Sequence, residues 1–517
     1  MKTKFKTKAW FLLSGLILFL LALPASNTNW SYLSSTAHAG FFNNDLETFE
    51  EIVDLVSEKY VYSPDHKKLF SAAIEKMVKT VDSENATLTS NPSGSVITFN
   101  KKSAQFFLNY DLGHDMDELQ KVYYFLHDQS NKTLSKKDLE VAAIEGIMGS
   151  LDTYSQYLDK TDFEKSMRDT EGKYGGLGMV ITMKDNRLYV VKTMEDSPAK
   201  EAGILADDSF LEVNGKEIKG MQIQELANLL RGYPETNVTI TMYRPSEEKK
   251  YIHTLTRRII LVNSVEYEPL NNHIGYIKIN SFSKLTEKQL KKHLTQAKQE
   301  GIKGFILDLR GNPGGLLHQS VKVASHFLFK GRMVVYTKGR SEDDYREYRS
   351  LYKKSLHKTP VVVLINQYSA SASEIVAGAL RDSGSALLMG ENSYGKGSVQ
   401  TIFRISDGSG VRLTTSKYFT PSGIDITKNG VIPEINILND VIEDAISDSE
   451  KKKEYPKTSL SLKVSSLKKF FEKQGVKLTN THDATIELAR RILKNSHTAS
   501  KKKSMEKARE IAANINY

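Results

Sequence analysis

A serine-rich segment carries residue types that nucleophilic catalysis can use. Ser369–Glu374 reads SASASE, follows an apolar run and precedes a helical pattern. A hydroxyl at such a junction, here Ser371, lies beside free backbone N–H groups and the positive end of the helix dipole. Such donors can stabilise an oxyanion next to an attacking oxygen. The alternative is structural, because Ser371 and Glu374 also fit the S-x-x-E capping box.

A lysine flanked by glycines could supply the base that a serine nucleophile needs. Lys396 lies between Gly395 and Gly397, which let the backbone turn sharply and approach other elements closely. Free lysine titrates at about 10.4, so burial must lower its pKa by about two to three units for work near neutrality. The alternative is a solvated loop lysine. A phosphate-binding loop is disfavoured, because the G-x-x-x-x-G-K-[ST] run is missing from the sequence.

Two further features could complete this site or replace it. Gly314 and Gly315 could lend a second N–H to the oxyanion, although turn geometry alone would explain both glycines. His318 is an alternative base, which would need a placed carboxylate such as Asp308. The twelve histidines show no metal-ligand spacing such as H-E-x-x-H, so the sequence predicts no metal and no cofactor.

The elements that must position these residues fall into four regions. Residues 40–165 are predicted to be mainly helical, with a helical pattern over 44–80. Residues 166–258 contain strand-like runs separated by turn signals, which indicates a small β-rich module. Strands and helices alternate over 259–440, which predicts an α/β layer. Residues 441–517 are Lys-rich and predicted to be helical.

Within the α/β region, Pro360–Ile365 is a continuous apolar run. Such a run is typical of a strand that is buried on both faces of a sheet. The pattern after it predicts a helix over Ser373–Asp382. The serine-rich segment therefore lies between a buried strand and a helix, where its backbone N–H groups have no helical partners.

The composition limits the classes of protein to which the chain can belong. The 517 residues are 39% hydrophobic and 26% charged, which suits a globular protein of two or three domains. The absence of cysteine excludes disulfides, a thiol nucleophile and thiolate metal sites. The net charge of +10 comes largely from lysine clusters without interleaved aromatics, so no nucleic-acid partner is expected.

The first residues have the pattern of a secretory signal. Four early lysines precede the apolar run Ala9–Ala25, and Ala37–Ala39 is a small-residue cleavage pattern. Residues 1–39 are therefore predicted to be a signal peptide, and the protein is expected in the periplasm or cell envelope. The alternative is an uncleaved membrane anchor formed by residues 9–25.

Together these motifs resemble the C-terminal processing peptidases, also called tail-specific proteases. The resemblance rests on the string SASASEIVAGAL at Ser369–Leu380 and on the GKG run that contains Lys396, followed by Gln400. It implies that Ser371 is the nucleophile, that Lys396 is its general base, and that Gln400 orients the lysine.

Other family motifs extend the resemblance over residues 140–435. The turn Asn312–Gly315 matches the family's N-P-G-G, and a downstream strand pair is similar to Leu413–Tyr418 and Thr420–Gly423. The resemblance implies a crotonase-like α/β protease core with an inserted PDZ-like β-rich domain and helical N- and C-terminal regions. The expected reaction is acyl transfer, in which the N–H of Ala372, with one from Gly314 or Gly315, holds the oxyanion.

The β-rich module resembles a PDZ domain. Its segment Gly175–Met179 is similar to the loop that cradles a terminal carboxylate, and a substrate tail would add as a strand beside Leu177–Ile181. Arg231, which ends the following helix, could contact the core and report occupancy, or act only as a cation at a helix C-terminus. The resemblance thus predicts a set of substrate-binding residues, which are Gly176, Leu177, Gly178, Met179 and Arg231.

Two other classes of protein are alternatives to a tail-specific protease. A noncatalytic scaffold would use only the PDZ-like module, and the joint presence of Ser371, Lys396 and Gln400 argues against it. A trypsin-like PDZ protease would need a G-N-S-G-G loop and two β-barrels, and the sequence has neither. The expected partners are protein substrates with free C-terminal tails. Self-association through the terminal helices and a lipoprotein adaptor both remain open.

Overall fold

The computed structural model of the chain describes residues 44–82, 85–91, 94–130, 134–271, 273–353, 356–438, 460–479, 483–494 and 501–515. The elements of the fold belong to one unit, Asp45–Tyr517. The predicted signal peptide, residues 1–39, lies outside the described residues. No helix within the described ranges combines the length and the apolar character needed to cross a membrane.

The described residues between 47 and 151 form four α-helices and a three-stranded antiparallel sheet. The prediction of a helix over residues 44–80 is wrong in the middle, because the helix ends at Lys59 and a second one begins at His66. Pro64 lacks a backbone N–H for the helix ladder. Asp65 then caps the second helix by accepting the Lys68 N–H at 3.2 Å. The sheet was not predicted. The elements are α1 (Glu47–Lys59), α2 (His66–Val81), β1 (Thr87–Asn91), β2 (Gly94–Phe99), β3 (Lys102–Phe106), α3 (Leu112–Gln129) and α4 (Lys136–Leu151).

A short strand and a helix then lead into the β-rich module. The elements are β4 (Gln156–Leu158), α5 (Lys160–Glu171), β5 (Lys173–Gly176), β6 (Met179–Lys184), β7 (Arg187–Thr193), α6 (Pro198–Glu201), β8 (Ser209–Val213), β9 (Lys216–Glu217), α7 (Ile223–Leu230), β10 (Asn237–Arg244), β11 (Lys249–Thr256) and β12 (Arg258–Leu261). The sheet has the order β11-β10-β8-β7-β6, so β6 is an edge strand. β5 and β12 pair as a two-stranded ribbon where the chain enters and leaves the module.

Strands and helices alternate in the next region, as predicted. The elements are β13 (Val265–Leu270), β14 (Ile274–Ile279), α8 (Thr286–Gln299), β15 (Gly304–Asp308), α9 (Leu317–Ser325), β16 (Met333–Lys338), β17 (Arg346–Arg349), β18 (Val361–Ile365), α10 (Ala372–Asp382), β19 (Leu387–Gly390), β20 (Ser398–Arg404), β21 (Gly410–Phe419), α11 (Ile426–Asn429) and β22 (Ile435–Leu438). A second sheet has the order β17-β16-β21-β20, and β4 also pairs with β21.

The C-terminal region completes the larger sheet. It contains β23 (Leu460–Lys463), α12 (Val464–Lys473), α13 (Ala484–Lys494) and α14 (Lys501–Ile515). The sheet has the order β13-β14-β15-β18-β19-β22-β23 and is parallel from β14 to β23. Residues of β18 alternate between two apolar clusters, one shared with α9 and α10 and the other with α12 and α13. Coverage of both faces explains why the whole strand is apolar.

One predicted strand is instead a turn. β21 contains the predicted strand Leu413–Tyr418, and its partner in the sheet is β20. Thr420–Gly423 closes a turn, in which the Gly423 N–H donates to the Thr420 carbonyl at 2.9 Å. Gly423 has a φ of 86°, which glycine adopts readily because it has no Cβ.

Candidate active site

Ser371 stands where a buried strand gives way to a helix. All five residues of β18 are buried, and the chain turns over residues 366–370 before α10 begins at Ala372. Ser371 has a φ of 54° and a ψ of −112°, a conformation that a non-glycine residue keeps only when its surroundings hold it. Ser369 anchors the turn by donating its Oγ–H to the Leu309 carbonyl at 2.9 Å. Such strain is common at functional sites.

Asn312 ties the glycine turn to the serine-rich loop. It is fully buried, and its Nδ2 donates to the Ile279 carbonyl at 2.8 Å. Its carbonyl oxygen accepts the Ala370 N–H and the Ser373 Oγ–H, both at 3.0 Å. Its Oδ1 accepts the Gly314 N–H at 2.9 Å. One residue therefore sets the separation of the two loops.

The two glycines of the turn have different surroundings. A Cβ on Gly314 would lie 2.8 Å from Ser371 Cβ and 3.0 Å from Ala372 N, so a larger residue does not fit. The Gly314 N–H is already bonded to Asn312. By contrast, the N–H groups of Gly315 and Ala372 donate to no residue that the structure describes. The sequence left both glycines as candidate oxyanion donors, and the geometry favours Gly315.

Glu374 joins the serine-rich loop to the lysine loop. Its Oε2 accepts the Ser371 N–H at 2.7 Å and the Lys396 N–H at 3.0 Å. Its Oε1 accepts the Ser393 Oγ–H at 2.6 Å and the Gly395 N–H at 2.7 Å. Burial raises the pKa of this carboxyl, while the hydrogen bonds favour its charged form. The sequence indicated a helix cap here, and the same carboxylate also holds the second loop.

The Lys396 side chain lies in a partly buried aromatic environment. Its Nζ is 4.9 Å from the centroid of the Tyr154 ring. Burial is the largest cause that lowers the pKa of Lys396 below the ordinary value of 10.5, and repulsion by Arg412 adds to it. Attraction by Glu374 and Asp152 acts in the opposite direction. The neutral amine is therefore more accessible here than in a solvated lysine.

Ser371 and Lys396 line the same cavity, which has a volume of about 810 Å³. In the described part of the chain, no hydrogen bond joins Ser371 Oγ to Lys396 Nζ. Tyr418 lines the cavity with both residues, and its hydroxyl donates to the Lys396 carbonyl and to Glu374 Oε2 at 3.3 Å. Sequence reasoning missed Tyr418 as part of the site, since a tyrosine in a strand of alternating polarity indicates a core position.

Gln400 also lines the cavity, although it does not contact the lysine amine in this conformation. Its Nε2 donates to Ser398 Oγ at 2.7 Å and lies 3.4 Å from Thr414 Oγ1. Thr414 donates in turn to Asp152 at 3.2 Å. Gln400 is thus held by a polar chain along β20 and β21.

The predicted carboxylate-binding loop directly precedes the edge strand β6. Gly176 ends β5 and Met179 begins β6, while Leu177 is buried in the core of the module. Gly178 has a φ of 75°, and a Cβ there would lie 2.4 Å from Ser197 Cβ. The N–H groups of Leu177 and Gly178 have no acceptor among the described residues. With α7 packed beside β6, the loop has the donors and the open edge that an added peptide strand needs.

Arg231 connects the module to the cavity. It immediately follows α7, and its guanidinium carbon lies 5.0 Å from the centroid of the Tyr174 ring. Both residues line the cavity that contains Ser371 and Lys396.

The alternative histidine route has no geometric support. His318 is exposed on α9, and the described residues that line the cavity do not include it. Asp308 is instead bonded to the Arg310 guanidinium and accepts the Tyr276 hydroxyl at 2.9 Å. The described residues contain no cluster of three or more His, Asp or Glu residues that could hold a metal ion.

Comparison with known proteins identifies the family of the chain. Residues 273–437 match the model of peptidase family S41, and residues 189–244 match that of the PDZ domain. A carboxy-terminal-processing protease of Bartonella bacilliformis is 41% identical over 298 residues, covering 57% of this chain and 68% of that protein. A probable CtpA-like serine protease of Staphylococcus aureus is 37% identical over 325 residues, covering 62% of this chain and 65% of that protein.

A solved structure is also similar, that of the photosystem II D1 C-terminal processing protease. It has 26% sequence identity and a TM-score of 0.41, and the match covers 76% of this chain and 93% of that one. The family models and the Bartonella relative confirm the resemblance and the fold class that the sequence predicted, an α/β protease core with an inserted PDZ domain. The chain therefore belongs to the carboxy-terminal-processing serine proteases of peptidase family S41.

Proposed function

We propose that the protein is an exported serine endopeptidase that cleaves protein substrates at or near their C-terminal tails, with Ser371 as nucleophile and Lys396 as base. The observation that carries the proposal is the shared carboxylate oxygen of Glu374, which accepts the backbone N–H of both residues. Their two nitrogens are therefore no further apart than the sum of those hydrogen-bond lengths. The flexible four-carbon stem of lysine spans such a distance. The proposal requires that rotation of the Lys396 side chain away from Tyr154 bring Nζ to Ser371 Oγ.

The first half of the reaction forms an acyl-enzyme. Neutral Lys396 accepts the hydroxyl proton while Ser371 Oγ attacks the peptide carbonyl carbon. The N–H groups of Ala372 and Gly315 stabilise the oxyanion, and loss of one such donor typically costs about 100- to 1000-fold in rate. The Lys396 ammonium then protonates the leaving nitrogen, the C–N bond breaks, and Ser371 is left as an ester.

The second half returns the enzyme to its starting state. Neutral Lys396 accepts a proton from water, whose oxygen attacks the ester carbonyl. The C–O bond to Ser371 breaks and the serine oxygen regains a proton from Lys396. Gln400 acts as a positioning residue in this proposal. When the Lys396 side chain rotates, the Gln400 amide breaks its hydrogen bond to Ser398 and binds the lysine amine instead.

The PDZ domain supplies the preference for tails. A substrate C-terminus adds as a strand to β6, and its carboxylate accepts the N–H groups of Leu177 and Gly178. Gly176 and Met179 flank this loop and fix its backbone. Arg231, between α7 and the cavity, senses the occupied groove.

The signal pattern in residues 1–39 supports the proposed export to the periplasm or cell envelope, with residues 9–25 as an uncleaved anchor in the alternative case. Proteins with unstructured, accessible tails in that compartment are its proposed substrates. Cleavage at a single site near the tail requires only that the chain reach from the PDZ groove to Ser371.

A degradation assay tests the proposal. An unstructured substrate with a free C-terminus, and the same substrate ending in an amide, are incubated with wild type, Ser371→Ala, Lys396→Ala and the surface control Lys330→Ala. We expect both active-site variants to fold, by circular dichroism, and to lose cleavage, while Lys330→Ala cleaves normally. The amide should be cut more slowly than the free tail. Cleavage by folded Lys396→Ala would overturn the assignment of the base.

A noncatalytic peptide-binding scaffold is the second candidate. The observation that favours it is the missing hydrogen bond between Ser371 and Lys396 in the described residues. A scaffold would bind free tails through the PDZ groove and leave every substrate intact, and its Ser371 would not react with a serine-directed phosphonate probe. The assay above separates the two functions.

A further inference from the structure

Arg412 places a guanidinium in the wall of the cavity that contains Ser371 and Lys396. It belongs to β21, where it pairs with Ile402 of β20 on one side and Gln156 of β4 on the other. Strand pairing on both sides holds its backbone in place. The position from which the side chain enters the cavity wall is therefore fixed by the sheet.

The Arg412 side chain is partly buried and poorly paired. Its Nη2 donates to Ser166 Oγ at 2.9 Å, and no carboxylate of the described chain lies within ion-pairing distance. A guanidinium carries five N–H donors, so most of them face no protein acceptor. Burial lowers the pKa of Arg412, while Asp162 and Asp169 oppose this from a distance. A charge in such a position is normally paired, and a missing partner points to a ligand.

The charge of the whole cavity favours an anionic ligand. Its two carboxylates, Asp162 and Asp169, are exposed on α5, where water screens them. Apart from Lys396, which acts as a neutral base, five basic side chains line the same cavity, and these are Lys165, Arg168, Lys173, Arg231 and Arg412. A cleft lined mainly by one sign of charge concentrates ligands of the opposite sign.

We propose that Arg412 binds a carboxylate of the substrate, so that the cleft selects chains with an acidic side chain beside the bond that is cut. The inference rests on the proposed function, because it assigns the substrate chemistry of the same site. An arginine forms two parallel N–H···O bonds to a carboxylate, which gives direction as well as strength. Ser166 accepts only one of the five donors, so a substrate carboxylate can be bound without breaking that hydrogen bond.

Pairs of peptides test whether Arg412 binds an acidic side chain of the substrate. Amidated peptides that differ only by Glu or Gln are compared at each position flanking the cleaved bond. At one position we expect wild type to show a kcat/KM about 10-fold higher for Glu, as is typical of charge-assisted hydrogen bonds. The ratio should fall to about one in Arg412→Met. Arg404→Met is the matched control, because Arg404 packs on the Phe163 ring and is exposed outside the cavity wall.

A second arm distinguishes the source of the carboxylate. Peptides without Glu or Asp are compared with a free and an amidated C-terminus. If Arg412→Met reduces only the preference for the free terminus, the proposal is overturned, because Arg412 then binds the terminal carboxylate and not an acidic side chain. If neither preference depends on Arg412, the proposal is overturned. If wild type cuts the peptides without preferring Glu to Gln, only this inference is overturned. If wild type shows no cleavage that depends on Ser371, the proposed function is overturned.

Binding measurements cover the case in which Arg412→Met does not fold. In the Ser371→Ala background, fluorescence anisotropy gives the Kd of the same Glu and Gln peptides. Addition of Arg412→Lys should weaken the Glu preference severalfold, because lysine keeps the charge and loses the two-pronged geometry. An unchanged ratio of the two Kd values would overturn the proposal.

Discussion

The buried carboxylate of Glu374 accepts the backbone N–H of Lys396 at 3.0 Å. The same oxygen also accepts the Ser371 N–H, so two loops that are separated along the chain share one acceptor. A carboxylate suits this role because it has only acceptors and can serve several donors at once. The relative position of Ser371 and Lys396 thus depends on the Glu374 side chain, which does not itself line the cavity.

Glu374→Gln should loosen both loops. The amide NH₂ would face donors such as Ser393 Oγ–H or Lys396 N–H, which leaves buried polar groups without partners. We expect a loss of about 2–4 kcal/mol in the free energy of unfolding and a large fall in kcat. Urea denaturation and the peptide assay measure both quantities. The control Glu145→Gln is exposed and should stay within about 0.5 kcal/mol of wild type. Equal stability of the two variants would contradict the role given to Glu374.

Gly314→Ala should block the reaction while Gly311→Ala does not. Both glycines have positive φ, at 103° and 74°, so both substitutions strain the backbone. Only at Gly314 would the new Cβ meet the Ala370 carbonyl at 2.7 Å, whereas nothing lies within 4 Å at Gly311. We expect at least about a 100-fold loss of kcat/KM for Gly314→Ala, on the scale of losing an oxyanion donor. Gly311→Ala should keep its activity and lose about 1 kcal/mol of stability. Similar activities for the two variants would show that the close approach is unimportant.

Peptidase activity should rise with pH as Lys396 loses its proton. Burial and Arg412 lower the pKa of Lys396, so the rising limb should lie below the ordinary lysine value of 10.5. The kcat/KM profile of the free enzyme reports this pKa. His318→Asn is the control, because His318 is exposed on α9 and should leave the limb unchanged. If the limb disappears in His318→Asn, the base is the histidine.

The same pKa shift has a consequence for stability. Because the pKa of Lys396 is lower in the folded than in the unfolded chain, its charged form opposes folding. Lys396→Met should therefore increase the free energy of unfolding at neutral pH, and the gain should shrink as the pH approaches 10.5. Urea titrations at several pH values measure it, with Lys330→Met as a surface control. If Lys396→Met is less stable than wild type at every pH, the charged lysine does not oppose folding.

The two loops of the candidate site were predictable, because each has a recognisable pattern of residues along the chain. An apolar run followed by small residues and a helical pattern located the loop of Ser371, and paired glycines located the loop of Lys396. The contacts between loops could not be predicted, because they depend on packing between segments that are distant along the chain. Tyr418 and Arg412 are examples, since in β21 they follow ordinary strand alternation and only the fold brings them to the cavity.

The fold was predictable to a similar degree. Buried parallel strands such as β18 have a strong signal, because both faces must be apolar. Strands with mixed polarity were missed, among them β1 with its sequence TLTSN and β23 at the sheet edge. Their pairing is set by tertiary context, to which strand preference is sensitive.

The PDZ loop gives a last prediction with a matched control. Gly178→Ala should abolish the preference for a free tail, since its Cβ would collide with Ser197 at 2.4 Å and displace the loop. Gly215→Ala, in the same domain, has nearly the same φ of 76° and nothing within 4 Å, so it should keep the preference. The readout is the ratio of kcat/KM for free and amidated tails. It should fall to about one in Gly178→Ala, because the loop supplies the donors that a terminal carboxylate needs. A preference that survives in folded Gly178→Ala would place recognition of the tail elsewhere in the molecule.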